Sequence, residues 1–491
     1  MSKLNQKNKQ PRVNSYQGNS QFKHSPKQDL YNLACMTLIG RDSYYESASE
    51  PIKRMKKLIF SLVETDDMDY IANLCIHART KMNIRSAPIV MVVLLTEALR
   101  EQSKTYSYMR SLVCDVIQRA DQLTDMYATA LNVFGDKRKV PMAIKNGVAD
   151  AFNKFDEYQF GKYKGTGKQL SLAKLIRIVH PKSKSKEQGA IFEKIVKESL
   201  DIPYTWETEL SAANKEKKVI WEELVNSKRL GYMATLRNLN NMLKENVSSD
   251  TLEKVCNYIS NPMAVAKSKQ LPYRFLSAIG ATADHANTKI KSSISKALDL
   301  SLNNIPDIGD NIWIIIDCSG SMGYKYGATV NVFDIASLFA AAIAKRNGES
   351  AKNMKITLFS DNAEHVSIDT NGPILSIIKE FSSNIHGYGT NLNAALNEYN
   401  SLGFKPDTMI LFSDMQVNRL SNQSNAILND HNITRIAFNV GNYNNSPVTE
   451  LNGWYQITGY SDGIFSYLHA MKEKVSVTKM LDTEYKTTIY K

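Results

Sequence analysis

The 491-residue chain lacks any apolar run near the roughly 18 residues that a membrane helix needs; its longest are Ile89–Leu95 and Leu338–Ala344. Its polar N-terminus carries no apolar h-region, so no secretory signal is read there. Cysteine is scarce, with five residues (Cys35, Cys75, Cys114, Cys256 and Cys318) set far apart. No CxxC or His/Cys metal spacing occurs, which leaves buried, reduced thiols and a reducing, cytoplasmic compartment as the expectation. Fixed-period repeats are absent, and no Ser/His or Cys/His nucleophile–base pair stands out, so enzymatic activity is not expected.

Acidic residues are short in one part of the chain only. The net charge of +12 divides into −4 for residues 305–491 and +16 for the remainder. Such asymmetry suggests that the first part meets a polyanion and the second does not. The basic excess is densest between Lys137 and Lys186, where 13 Lys/Arg face three acids. Tyr158, Phe160 and Tyr163 lie among these charges, with Gly161, Gly165 and Gly167 nearby. Cation and ring alternating in this way suit single-stranded or looped RNA. A solvated loop with a charged helix face has the same composition, so the residues alone leave both readings open.

Three stretches of texture follow in order. Residues 1–24 are rich in Lys, Asn, Gln and Ser with few apolar side chains, and are expected to form a disordered basic tail. Ser25-Pro26 signals a helix start, and from there to residue 303 apolar residues recur at three- and four-residue spacing, as in Ile52, Met55, Leu58, Ile59 and Leu62. Short polar connections predict helical hairpins. Residues 304–491 alternate short apolar strands (Asn311–Ile316, Met354–Phe359, Thr408–Ser413, Ile433–Asn439) with amphipathic helices, the pattern of an α/β domain with a largely parallel sheet. A helix at Ile464–Lys472 and a last strand at Tyr485–Tyr490 are also expected.

Within that α/β pattern, Asp317-Cys-Ser319-Gly-Ser321 follows the first strand, Thr390 opens a helix and Asp414 ends another strand. In an open α/β sheet these positions meet outside the carboxyl ends of the strands. Three hydroxyls and two carboxylates make an all-oxygen set of the kind Mg²⁺ or a similar hard divalent cation takes. Few direct charges would keep the ion electrophilic toward a partner's carboxylate or a phosphate. The set resembles the metal-ion-dependent adhesion site of von Willebrand factor A domains at all five positions.

Further segments carry a second resemblance. Leu175-Ile-Arg177-Ile-Val-His180-Pro-Lys182, Met233-Ala-Thr-Leu236-Arg237-Asn238-Leu239 and Arg85-Ser-Ala87-Pro88, together with an A-type domain, look like the Ro ribonucleoprotein family, whose helical part is the TROVE module. The resemblance implies an all-α ring of HEAT-like helical repeats followed by an α/β von Willebrand factor A-like, Rossmann-like domain. It further implies a monomeric protein that binds small noncoding, Y-like RNA on a basic outer surface and the single-stranded ends of misfolded RNA in a central hole. An exoribonuclease such as polynucleotide phosphorylase is an implied partner, and a membrane is not. On that reading the RNA contacts are Lys168, Lys174, Arg177, His180, Lys182, Lys184 and Lys186. The competing reading is a metal-dependent protein-interaction scaffold whose basic surface is incidental.

Overall fold

The computed structural model describes residues 11–35, 49–135, 139–163, 170–201, 203–212, 215–270, 272–302, 307–323, 331–348, 350–385, 387–441, 443–458 and 477–484. The helix expected at Ile464–Lys472 and the strand at Tyr485–Tyr490 lie outside them. The described residues fall into two compact units. One holds the chain up to Asn32 together with Gly231–Met480, and the other holds Ile52–Leu230 with the segment from Leu481.

The second unit is helical. Its helices include Ser49–Glu64, Met68–Thr80, Ser86–Glu101, Asp121–Phe134, Met142–Ala151, Leu172–Val179 and Lys186–Val196. Successive helices pack side by side: Met68–Thr80 on Ser86–Glu101, and Leu172–Val179 on Lys186–Val196. The apolar spacing explains which face is covered, since Met55, Ile59 and Leu62 are all buried. Gly135 ends its helix with φ +65, a backbone conformation open to glycine at little cost.

The first unit is built on a six-stranded sheet. Its strands are β3 (Asn311–Asp317), β4 (Asn353–Phe359), β5 (Ala363–His365), β6 (Thr408–Ser413), β7 (Thr434–Asn439) and β9 (Trp454–Thr458), in the order β5-β4-β3-β6-β7-β9. All neighbours run parallel except the edge strand β5. Residues 312–317 of β3 are all buried, as a central parallel strand covered on both faces requires. Helix Val332–Asn347 packs on β3, and 13 of its residues are buried, so it reads as apolar nearly all round.

The compact units do not divide at the texture break near residue 304, because the helices from Tyr232–Lys244 to Thr288–Ser301 pack with the sheet. Asp299 shows why: its Oδ1 accepts from the Ile374 amide at 3.2 Å, and its Oδ2 lies 3.8 Å from Lys345 Nζ. Of the tail expected over residues 1–24, residues 1–10 lie outside the described ones, and residues 11–24 are ordered. β1 (Arg12–Asn14) and β2 (Ser20–Lys23) form an antiparallel hairpin, and β2 pairs with β8 (Asn445–Ser446). Buried hydrogen bonds order this polar segment where apolar area could not: Ser15, Asn19 and Gln21 are buried although they are polar.

Candidate metal centre and basic surface

β3 is the first strand of the sheet and lies between β4 and β6, so chain connections leave it in opposite directions and open a crevice at its carboxyl end. Register sets the contents of that crevice. Ile316 pairs with Phe412 and Asp317 with Phe359, so β3, β4 and β6 end level with one another. Asp317 therefore emerges beside Ser413, and Ser413 Oγ donates to Asp317 Oδ2 at 2.6 Å. Asp317 Oδ1 accepts from the Ser319 amide at 2.9 Å, which turns the chain sharply after β3. The Ser319 and Ser321 hydroxyls lie 3.3 Å apart. The Ser321 hydroxyl also acts on the Asp414 carboxylate, favouring its charged form, so four of the five expected residues meet in one place.

Thr390 reaches the same place through its backbone. Its carbonyl accepts from the Asn418 amide at 3.0 Å, and the neighbouring Tyr388 carbonyl accepts from Gly320 at 3.0 Å. The loop carrying Thr390 is thereby tied to both others. All five residues are buried. Asp361, which the sequence reading passed over, holds this loop by accepting from the Tyr388 amide at 2.9 Å. A Cβ on Gly389 would meet Asp361 Oδ1 at 2.1 Å, so a larger residue there would displace the carboxylate that holds the loop.

The electrostatics of the pair are adverse as it stands. Burial pushes both Asp317 and Asp414 above the usual carboxylate range, and the Asp317 charge adds to the rise at Asp414. No basic side chain is among the influences on either group. Among the described residues no group of three or more His, Cys, Asp or Glu converges to hold an ion, so any site here rests on two carboxylates and hydroxyls. Two buried carboxylates with hydroxyls and no basic side chain among their influences are a donor set that fits a hard divalent ion.

The loop after β6 is strained. Met415 is buried and has φ +66, an uncommon conformation for a residue with a side chain. It persists because it is fixed from both sides. Ser413 Oγ accepts from the Met415 amide at 2.9 Å, and Gln21 Nε2 donates to the Met415 carbonyl at 2.8 Å. A Cβ on Gly441 would meet the Asp414 carbonyl oxygen at 2.6 Å, so a glycine is needed there too.

The basic residues form a second feature, in the helical unit. In helix Leu172–Val179 the apolar side chains other than Ile178 are buried, while Lys174, Arg177 and Ile178 are exposed. His180 ends this helix in the left-handed conformation with φ +47 and is exposed. Lys182 and Lys184 follow on an exposed connection whose backbone is clamped by Asn153. Its Nδ2 donates to the Lys182 carbonyl and its Oδ1 accepts from the Lys184 amide, both at 3.0 Å. Ser185 caps the next helix, placing Lys186 in its first turn. Lys174, Lys182, Lys184 and Lys186 form no ion pair with a described residue, whereas Lys194 is engaged by Glu157. Arg177 is partly committed, since its Nη2 donates to the Val196 carbonyl at 2.7 Å and caps that helix end.

Other members of the cluster do structural work. Phe160 is fully buried against Phe152 and Phe155, so it offers no stacking face. A Cβ on Gly161 would meet the Asp201 carbonyl oxygen at 2.6 Å; this glycine serves helix packing, not ligand approach. Lys154 Nζ donates to the Cys114 and Ile117 carbonyls at 3.0 and 2.6 Å. Tyr158 is exposed, and Arg119 lies over the Tyr163 ring at 4.7 Å. Lys168 lies outside the described residues, as do Lys137, Arg138, Lys164, Gly165 and Gly167.

With the geometry in place, comparisons decide the family. The TROVE domain family matches residues 14–201 and 197–305, more than half of the chain. This chain belongs to the TROVE family. TROVE membership agrees with the helical segments singled out above, and the matched span reaches back to include the N-terminal hairpin from Asn14. The chain is similar to telomerase protein component 1 of Rattus norvegicus, 24% identical over 358 residues, covering 56% of this chain and 13% of that protein. Its counterpart from Mus musculus is 23% identical over 335 residues, covering 51% of this chain and 12% of the relative. The chain thus spans only a small part of the length of these relatives. Among solved structures, the Ro (RSR) protein of Deinococcus radiodurans superposes with a TM-score of 0.63 over 91% of this chain and 100% of that one, at 13% identity. At that identity the likeness shows a shared fold.

Proposed function

We propose that this TROVE protein is an RNA-binding ribonucleoprotein component that takes small, structured noncoding RNA on the exposed surface formed by Lys174, Arg177, His180, Lys182, Lys184 and Lys186. The observation that carries the reading is the placement of four exposed lysines, none ion-paired to a described residue, on one short helix, the clamped connection after it and the first turn of the next helix. Exposed ammonium groups without acidic partners neutralise phosphates and release counterions. The remaining donors of Arg177 and the ring of His180 are suited to shape and base contacts. Lys168 completes the proposed set. The Ro-type fold supports Y-like RNA as the class of ligand, with the single-stranded ends of misfolded RNA as a further substrate and an exoribonuclease such as polynucleotide phosphorylase as a partner in RNA quality control.

In the α/β domain we propose a divalent-cation site of von Willebrand factor A type. Asp317, Ser319, Ser321, Thr390 and Asp414 would hold Mg²⁺, which would supply a Lewis-acidic position for a partner's oxygen. The residues themselves orient that position and exclude water from the carboxylates. One observation favours a protein partner at this site: Tyr388, two residues before Thr390, is 87% exposed. A large exposed ring beside a buried polar centre is the kind of side chain that anchors protein interfaces.

Crosslinking in the native cell followed by sequencing of the bound RNA tests the main reading. Enrichment of small structured RNAs, with crosslinks at residues 174–186, supports it. Recovery of protein partners that a chelator releases, without enriched RNA, leaves the metal-dependent scaffold in its place.

A further inference from the structure

The loop that carries Asp414 is held by a segment nearly four hundred residues away in sequence. Ser15 Oγ donates to the Val417 carbonyl at 3.0 Å, and Gln416 Oε1 accepts from the Tyr16 amide at 3.1 Å. Gln21 Nε2 donates to the Met415 carbonyl at 2.8 Å, and Asn19 Oδ1 accepts from the Leu420 amide at 3.3 Å. Asn445, on the strand that pairs with β2, accepts from Gln416 Nε2 at 3.0 Å. The amide of Gln416 in turn donates to Asp414 Oδ1 at 3.0 Å, so the chain of contacts ends on the carboxylate itself.

We infer that the N-terminal hairpin is a strap that positions the Asp414–Leu420 loop, and that Gln21 is its principal positioning residue. Three observations converge on Gln21. It is fully buried, its partner is the carbonyl of the one residue in this loop with positive φ, and that residue directly follows Asp414. A left-handed non-glycine residue relaxes when it is held on one side only. With Gln21 removed, Ser413 alone would hold Met415, and Asp414 could turn away from Asp317 and Ser321. The consequence for the ion rests on the Mg²⁺ reading above; the consequence for the loop does not.

The test uses the full chain with Gln21→Met, which keeps the side-chain volume and removes the donor, and Ser15→Ala as a second, milder variant. Amide hydrogen exchange at Met415–Leu420 and Mn²⁺ affinity are measured beside the thermal midpoint without metal. The expected result for Gln21→Met is exchange accelerated about tenfold over this loop, and Mn²⁺ affinity lowered about threefold to tenfold, the scale of one lost hydrogen bond. The Ser15→Ala effects are smaller and in the same direction. A purely structural role would lower the midpoint and leave the affinity unchanged. Exchange as slow as in the parent overturns the proposal whether or not the parent binds Mn²⁺. Faster exchange with undiminished Mn²⁺ affinity overturns the claim that the strap positions the ligand set. A parent that binds no Mn²⁺, with the loop still released in the variant, removes the metal reading and supports the strap.

Discussion

Asp414→Asn separates the electrostatics of the buried pair from its packing. The substitution is isosteric, and the asparagine oxygen can still accept from the Gln416 amide, which lies 3.0 Å from Oδ1 in the parent. It removes one of two like charges that are both buried and have no basic side chain among their influences. Without metal the variant should therefore be the more stable protein, by of order 2 kcal/mol, the scale for relieving an uncompensated buried polar group. At roughly 2–4 °C per kcal/mol for a unit of this size, the midpoint rises by about 4–8 °C. Mg²⁺ then acts in the opposite sense. At about 100 times its dissociation constant it adds about 2.7 kcal/mol to the parent and nothing to the variant, so the gap closes. Thermal unfolding of both proteins in chelator and across millimolar Mg²⁺ gives the four numbers needed. A parent indifferent to Mg²⁺, together with an asparagine variant no more stable than the parent in chelator, would refute the reasoning, because the pair would then be neither strained nor a ligand set.

Other outcomes follow from the same contacts. His77 is buried, and burial with Lys81 nearby lowers its pKa to about 4. The unfolded chain thus takes up a proton between pH 6.5 and 4 that the folded one refuses. The helical unit is fully stable above about 6.5 and loses about 2 kcal/mol by pH 5, a loss that urea titration should find reduced in His77→Gln. Gly161→Ala drives a Cβ to 2.6 Å from the Asp201 carbonyl and should destabilise the helical unit by about 1–3 kcal/mol, read from urea titration. Arg177→Ala removes the cap on Val196 as well as a proposed RNA contact. It is expected to destabilise by about 1 kcal/mol in the same titration, whereas Lys182→Ala leaves stability unchanged.

Much of this architecture is legible in the sequence, because its signals are local. Helix Tyr232–Lys244 and strand Thr408–Ser413 fall where periodicity and apolar runs put them. The metal-type constellation is legible for the same reason: each member sits at a strand end or helix start, and a parallel sheet brings those ends together. What escaped depends on distant partners. Met109–Val116 and Tyr273–Thr282 fall in the stretch read as helical throughout, but their individual bounds are not given by its pattern. The hairpin at Arg12–Lys23 has almost no apolar pattern, and the groups it meets at Met415–Leu420 and Asn445–Ser446 explain its order. Lys154 and Phe160 look like members of a nucleic-acid surface, yet one caps a helix end and the other fills a core. Composition cannot distinguish these roles, since it counts charges and rings without regard to the carbonyls and apolar side chains that use them.

The central claim is that the surface from Lys174 to Lys186 binds RNA through phosphate contacts, and affinity measured against salt tests it most directly. The purified chain is titrated with a small structured RNA and with generic single-stranded RNA at several salt concentrations, beside the triple variant Lys182→Ala, Lys184→Ala, Lys186→Ala. For the parent, log affinity is predicted to fall linearly with log salt, with a slope of about −0.7 for each single-strand phosphate neutralised. For the triple variant the slope is predicted to flatten by up to about 2, with weaker binding of both RNAs. A triple variant that binds as the parent does at every salt concentration would contradict the assignment of the surface, and a parent with no salt-dependent binding would contradict the claim itself.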